Sequence, residues 1–305
     1  MNRSTIRRAV VVSLFLVVIV VPRASAQAAR VFLSGTGSDS GDCSNAATPC
    51  RSLQYAIDQA APGAEVVVVS SGGYGGATIT KSITVNAPTG VIAFVGRTIT
   101  VNIASTDTVT LRGLSMNGAV FGDQNGIAFA AGGTLNIENT VISSFANNGV
   151  NDTGPGSHMW VYNCDFKKNG SAGIYVVGAS AVIENSRSVK NTNVGMQAGD
   201  ASTVAIRNSV AEGNGYAGFY ANSTAGGSTE MVVDSCMSTN NSYGLRSNQT
   251  GTGSVATLRA GQNIVMNNAT NLSTGGGSGL ISQGGNHIRG ATGGTTGFTS
   301  TVAQQ

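Results

Sequence analysis

The stretch GIYVVGASAVIENSRSVKNTNVGM, residues 173–196, holds one complete turn of a repeat that runs from about Gly126 to Asn271. Its clearest mark is a Gly followed by an apolar residue: Gly126-Ile127, Gly149-Val150, Gly173-Ile174, Gly195-Met196, Gly218-Phe219 and Gly244-Leu245, with Asn271-Leu272 as a looser seventh copy. Successive steps are 23, 24, 22, 23, 26 and 27 residues. A unit of this size cannot bury an apolar face alone and gains a core only by stacking on its neighbours, so the chain is a solenoid. Upstream of each Gly lies a short alternating run, such as Leu135–Asn139, Val182–Asn185 or Val204–Asn208. Alternation is the period of a strand with one buried face, and no unit has room for a helix.

Units of 22–27 residues built from short strands and Asn/Gly-rich turns read as coils of a right-handed parallel β-helix. In these residues the chain resembles the pectin-lyase-like parallel β-helix superfamily. The resemblance implies an all-β fold in which each strand pairs with its equivalent one coil away. At about 4.8 Å per coil, every repeat position becomes a column of side chains. Ile127, Val150, Ile174, Met196, Phe219 and Leu245 form a column expected to point inward. The Gly column beside it marks a backbone bend that a Cβ would obstruct. Asn139, Asn163, Asn185 and Asn208 are expected to form an amide ladder at a turn.

The N-terminus reads as an export signal. Arg3, Arg7 and Arg8 precede an apolar run from Ala9 to Val21, and Ala24-Ser25-Ala26 supplies a cleavage site of small residues. The run is too short to span a bilayer, so residues 1–26 are expected to be removed, leaving an exported chain, periplasmic or extracellular, with no transmembrane segment. Removing Arg3, Arg7, Arg8 and Arg23 leaves 13 of the 17 basic residues against 14 acidic ones, and the formal +3 becomes −1. Only four Lys remain, which argues against nucleic acid as a partner.

Residues 27–292 are expected to form one domain. Val31-Phe32-Leu33 reads as a first strand, and Arg51 to Ala61 places Leu53, Ala56, Ile57 and Ala60 on one helical face before Pro62-Gly63. This helix, within a cap spanning residues 27–64, covers an end that otherwise exposes strand edges. The order Val31–Asp39, Pro49-Cys50-Arg51-Ser52-Leu53, Ala56-Ile57, Gly63–Val66 and Gly73-Tyr74 resembles the N-terminal cap of exported bacterial β-helix proteins. Cys43 and Cys50, close together in an irregular segment, are expected to form a disulfide in an oxidising compartment. Cys164 and Cys236 fall in one column with Ser186 and Ser209 between them, roughly 14 Å apart, and are expected to be separate buried thiols. Beyond Thr292 a Gly/Thr tail, residues 293–305, is expected to be flexible.

Function has to come from the outward columns, since the fold hosts many activities. One column, just before the Asn position, reads Arg112, Glu138, Tyr162, Glu184, Arg207, Asp234, Arg259. Its near-alternating signs suit a salt-bridge ladder, with pairs Glu184–Arg207, Arg207–Asp234 and Asp234–Arg259. They also suit a polar stripe for an extended polysaccharide, with Tyr162 as a sugar-stacking platform. A second column, Asn151, Tyr175, Gln197, Tyr220 and Arg246, carries amide, aromatic and guanidinium groups on a flat face. Glu138, Tyr162, Glu184, Arg207 and Asp234 of the first column and Tyr175, Gln197, Tyr220 and Arg246 of the second make up the candidate glycan face.

No catalytic residue, metal site or cofactor is assigned. Glu138 and Glu184 lie on the order of 9.6 Å apart, at the outer limit for an inverting glycosidase, but Tyr162 sits between them where water and the scissile bond belong. The acid clusters of the family's pectic lyases and the paired-Asp and Gly-His-Gly motifs of its galacturonan hydrolases are missing from the sequence. His158 and His287 have no local ligand partner, and the Gly-rich stretches lack the Lys-Ser/Thr of a phosphate loop. The chain therefore reads as a monomeric, non-catalytic module that recognises or organises polysaccharide. A divergent polysaccharide lyase or hydrolase, or a structural or adhesive solenoid with a protein partner, are the alternatives. An adhesin would show an apolar outward patch, and none is evident in the repeats.

Overall fold

The computed structural model describes residues 27–293 and 296–302. The export signal expected over residues 1–26 lies outside them. The chain is an all-β, right-handed parallel β-helix of about nine turns, with one short helix. Each coil contributes one strand to each of three parallel sheets, which we call A, B and C in chain order. In one coil these are Ser180–Glu184 in sheet A, Arg187–Val189 in sheet B and Val194–Ala198 in sheet C.

The inward column is in register throughout sheet C, from Ile127 against Val150 to Leu245 against Leu272, and its side chains are fully buried. The Gly residues beside it keep ordinary backbone angles. They are required because a Cβ on Gly195 would stand 2.5 Å from the Gly218 carbonyl oxygen, and one on Gly149 2.5 Å from that of Gly173. Close approach of successive coils, rather than an unusual bend, fixes this column.

The corner from sheet A to sheet B is a column of left-handed residues. Asn139, Asn163, Asn185 and Asn208 have φ of 50°, 52°, 50° and 49°. Of the amide ladder expected there, one rung forms: Asn163 Nδ2 donates to Asn139 Oδ1 at 2.7 Å, on the exposed surface. The continuous ladder lies at the next corner, between sheets B and C, in a column the repeat reading passed over. Asn169, Asn191, Asn214, Asn241 and Asn268 are buried, and each successive Oδ1 accepts both the backbone N–H and the Nδ2 of the coil before it, at 2.8–3.0 Å. Inside a core such amides must find partners, and a stack of identical side chains supplies them.

Cys164 and Cys236 are buried free thiols. They share a column in which Cys164 N donates to Ser186 Oγ, Ser186 N to Ser209 Oγ and Ser209 N to Cys236 Sγ. Burial pushes both thiols up to about 12.

At the N-terminal end the helix Leu53–Gln59 turns Leu53, Ala56 and Ile57 onto the first coil, and the Ser52 side chain accepts from Tyr55 N. It stops earlier than the sequence suggests. A strand, Ala60–Val68, already begins at Ala60 and runs through Pro62-Gly63. Cys43 and Cys50 are joined by a disulfide with Cα atoms 5.4 Å apart. At the other end, where a flexible tail was expected, Ser300–Thr301 pairs with Ile281–Ser282 and Phe298 packs against the core. Thr299 N donates to the Leu280 carbonyl, and its Oγ1 closes the same edge. Backbone bonds to an open sheet edge thus hold a segment whose composition offers little apolar area.

Candidate functional site

The two outward columns named from the sequence do not form one face. Glu138, Tyr162, Glu184, Arg207 and Asp234 project from sheet A, in register strand by strand. Asn151, Tyr175, Gln197, Tyr220 and Arg246 project from sheet C, also in register.

On sheet A the charges partly satisfy one another. Arg112 Nε lies 2.7 Å from Glu138 Oε2, and Arg207 Nε 3.6 Å from Asp234 Oδ2. The expected Glu184–Arg207 and Asp234–Arg259 pairs do not form. Arg259 stands in register with Val232, two positions from its expected place, and pairs with Glu230 at 2.6 Å. The coil there is 27 residues long, the same step as Gly244 to Asn271, so the slip was readable in the sequence. Tyr162, 37% exposed, stands in register between Glu138 and Glu184. Its ring stacks on that of Trp160, a residue the repeat reading missed, with centroids 5.6 Å apart.

Sheet C gathers an aromatic cluster. Tyr220, 8% exposed, packs with Ala172, Val194 and Ala217, and Tyr175, Tyr216 and Tyr243 close around them. The Tyr216 ring meets Tyr220 and Tyr243 edge to face, at 5.5 and 5.2 Å. Tyr216 and Tyr243 were not singled out from the sequence. The signal was there for Tyr243, which directly precedes Gly244 and so shares the Ala217 column. Arg246 lies across this cluster, its guanidinium carbon 4.2 Å from the Tyr243 ring centre and 5.3 Å from that of Tyr216. Its Nη1 donates to Ser273 Oγ at 2.9 Å, while its buried Nε has no partner. No carboxylate lies within ion-pair distance of it among the described residues. The Tyr220 hydroxyl donates to Asn222 Oδ1. Burial, followed by the neighbouring Tyr216, pushes that phenol up to about 12. Burial also raises Tyr175, with Asp200 adding to it. Both hydroxyls therefore remain neutral at ordinary pH, that of Tyr220 with its hydrogen already given to Asn222.

Such a surface offers ring faces, neutral hydroxyls and one uncompensated cation on a rigid sheet. It can hold a ligand by stacking and side-chain hydrogen bonds. Sheet B differs again: Val210, Met237 and Ile264 project outward in register on three adjacent coils, the last two each 36% exposed. The repeats thus carry an apolar outward stripe that the sequence reading did not recognise, because three-residue strands give alternation too little length to register. His158 Nδ1 lies 2.5 Å from Ser180 Oγ on sheet A, and His287 stands in register with Ile264 on sheet B. Among the described residues no group of three His, Cys, Asp or Glu is placed to hold a metal ion, and no helix is long and apolar enough to cross a membrane.

Residues 99–292 match the family model described as right handed beta helix region. No curated protein matches the chain. Among solved structures, XylC in complex with xylose is similar at 11% identity over 85% of this chain and 70% of its own, with a TM-score of 0.58. A pectate lyase, Pel9A, is similar at 18% identity over 89% and 79%, with a TM-score of 0.48. A GH136 lacto-N-biosidase from Eubacterium ramulus follows at 12% identity over 90% and 67%, with a TM-score of 0.36. At 11% identity the likeness to XylC is one of fold.

Proposed function

The chain belongs to the right-handed beta helix family, and from that premise we propose that it is an exported module that recognises an extended polysaccharide on the outward face of sheet C without cleaving it. The observation that carries this reading is Arg246 laid over Tyr216 and Tyr243, beside Tyr220, Tyr175 and Gln197. Successive coils repeat these groups about every 4.8 Å, so an extended chain lying along the solenoid axis meets one row after another. The rings take the C–H faces of sugars, and Arg246, with no counter-ion among the described residues, takes a carboxylate or hydroxyls. Export is supported by the Arg-led apolar N-terminus and by the Cys43–Cys50 bond, which suits an oxidising compartment.

The binding reading is favoured over hydrolysis because Tyr162 stands in register between Glu138 and Glu184, and Arg112 engages Glu138. A two-carboxylate mechanism needs that space for water and the scissile bond. A second reading, an adhesive or self-associating solenoid, is favoured by the apolar stripe Val210, Met237 and Ile264 on sheet B. Incubation of the purified exported chain with acidic and neutral polysaccharides separates the three, following retention and new chain ends together. Retention without new ends, lost in Tyr216→Ala/Tyr243→Ala, is the expected result. New reducing or unsaturated ends overturn the non-catalytic reading, and neither signal leaves the adhesive one.

A further inference from the structure

We propose that sheet A carries a second ligand site, separate from the face on sheet C, in which a neutral pyranose ring stacks against Trp160 and Tyr162 and gives its hydroxyl hydrogens to Glu184. Trp160 and Tyr162 alternate outward on the strand His158–Tyr162, with ring planes 21° apart. Trp160, with the Tyr162 ring stacked on it, lines a depression of about 310 Å³ together with Thr134, His158, Ser180, Val182 and Ala205, with walls that are almost wholly apolar. That volume lies at the lower end of the range for small-ligand sites. Val182, 43% exposed, lines it. The depression continues through Val182 and Ala205 into a second one of about 270 Å³, rimmed by Glu184, Arg207 and Asp234. From Trp160 to Val232 the groove spans three strand spacings, about 14 Å.

Two observations select the occupant. First, the strands Thr134–Glu138, His158–Tyr162, Ser180–Glu184 and Thr203–Arg207 are each paired on both sides. No backbone group is free, so a peptide cannot add itself as a strand, and only ring faces and side-chain heads are on offer. A pyranose matches that supply, with an apolar C–H face for the rings and hydroxyls around its edge. Second, Arg207 stands in register between Glu184 and Asp234 yet pairs only with Asp234. Glu184 is left without a cation within 4.0 Å among the described residues, beside the Tyr162 ring. An ionised carboxylate only accepts hydrogen bonds, and it accepts well from vicinal hydroxyls while repelling a second carboxylate. The site therefore takes a neutral sugar. Sheet C, with the uncompensated Arg246, has the opposite charge preference, and the chain is equipped to hold two different glycan segments at once, with the gain in avidity that two linked contacts give.

Trp160 is the only tryptophan in the sequence, so its emission reports sheet A alone. The test is a fluorescence titration of the purified exported chain with cellohexaose, xylohexaose and hexagalacturonate, alongside retention on an acidic polysaccharide as the separate readout of sheet C. A saturable emission change with at least one of the neutral hexasaccharides is expected, with none from hexagalacturonate. Tyr162→Ala, at an exposed position, should weaken that response about tenfold, and Glu184→Gln, which keeps the shape but loses the charge, should weaken it several-fold. Emission unchanged by both neutral sugars, an equal response to hexagalacturonate, or wild-type affinity in Tyr162→Ala overturns the site, whatever the retention assay shows for sheet C.

Discussion

Replacing Asp152 by Asn should remove a pH dependence that is built into the core. Asp152 is fully buried in an inward column of sheet C, in register with Phe129 and Val176. Its Oδ1 accepts from Ser157 Oγ at 2.7 Å and Gly154 N at 3.3 Å, while Oδ2 has no partner. Burial dominates these two bonds and pushes the carboxyl from 3.8 up to about 6. Between those values the native chain holds a proton that the unfolded chain has released. The contribution of Asp152 to stability is therefore greatest below 3.8, falls as pH rises through that interval and levels off above 6. At 1.36 kcal/mol per pH unit the loss between pH 3 and pH 7 is about 3 kcal/mol. Asn retains the acceptor at Oδ1 but brings an Nδ2 donor with no partner. That penalty is the same at every pH and cancels when the wild type and variant are compared across pH. Urea unfolding followed by far-UV circular dichroism at pH 3, 5 and 7 measures this difference. Asp152→Asn should gain about 3 kcal/mol relative to wild type between pH 3 and pH 7. A difference between the two proteins that does not change with pH refutes the reasoning.

Other consequences follow from the columns. Asn191→Ala leaves the buried N–H and Nδ2 of Asn169 without their acceptor and should destabilise by roughly 2–5 kcal/mol in the same urea assay. Gly195→Ala places a Cβ 2.5 Å from a backbone oxygen of the next coil and should prevent a normally stable fold, whereas Gly279→Ala, whose nearest neighbour is 3.5 Å away, should melt close to wild type. Cys164→Ser should be nearly neutral because Ser186 and Ser209 already fill its column, and iodoacetamide should label neither Cys164 nor Cys236 until the chain is unfolded. Arg246→Met, which keeps much of the packing over Tyr216 and Tyr243 but loses the charge, should cut retention on an acidic polysaccharide about tenfold, and unchanged retention removes Arg246 from the proposed face.

The repeat made the fold legible because coil stacking turns a linear period directly into columns. Ile174 and Met196 had to be buried neighbours once the period was known, and Cys164 and Cys236 had to share a column two serines apart. The same logic placed both outward columns except for Arg259. It could not say that Tyr162 and Tyr220 face different directions, because the angle between sheets is set at the corners, by left-handed residues such as Asn163 and by the buried amides from Asn169 to Asn268. Nor could it find Trp160, Tyr216 and Tyr243 as partners. Trp160 and Tyr162 meet two positions apart on one strand, whereas Tyr216 and Tyr243 meet across adjacent coils and come together around Arg246 only when those coils pack. Pairing among charges was only partly within reach: the 27-residue coil that moved Arg259 two places along sheet A was readable, but the choice by the Arg207 side chain of Asp234 over Glu184 was not. On the longer strands of sheet A and along the Gly-apolar column of sheet C the sequence by itself determined which residues lie inside and which lie outside, because alternation and period are local. Only the tertiary structure decided which outward residues share a face and which remain unpaired, because those depend on corner geometry, coil length and side-chain direction in three dimensions.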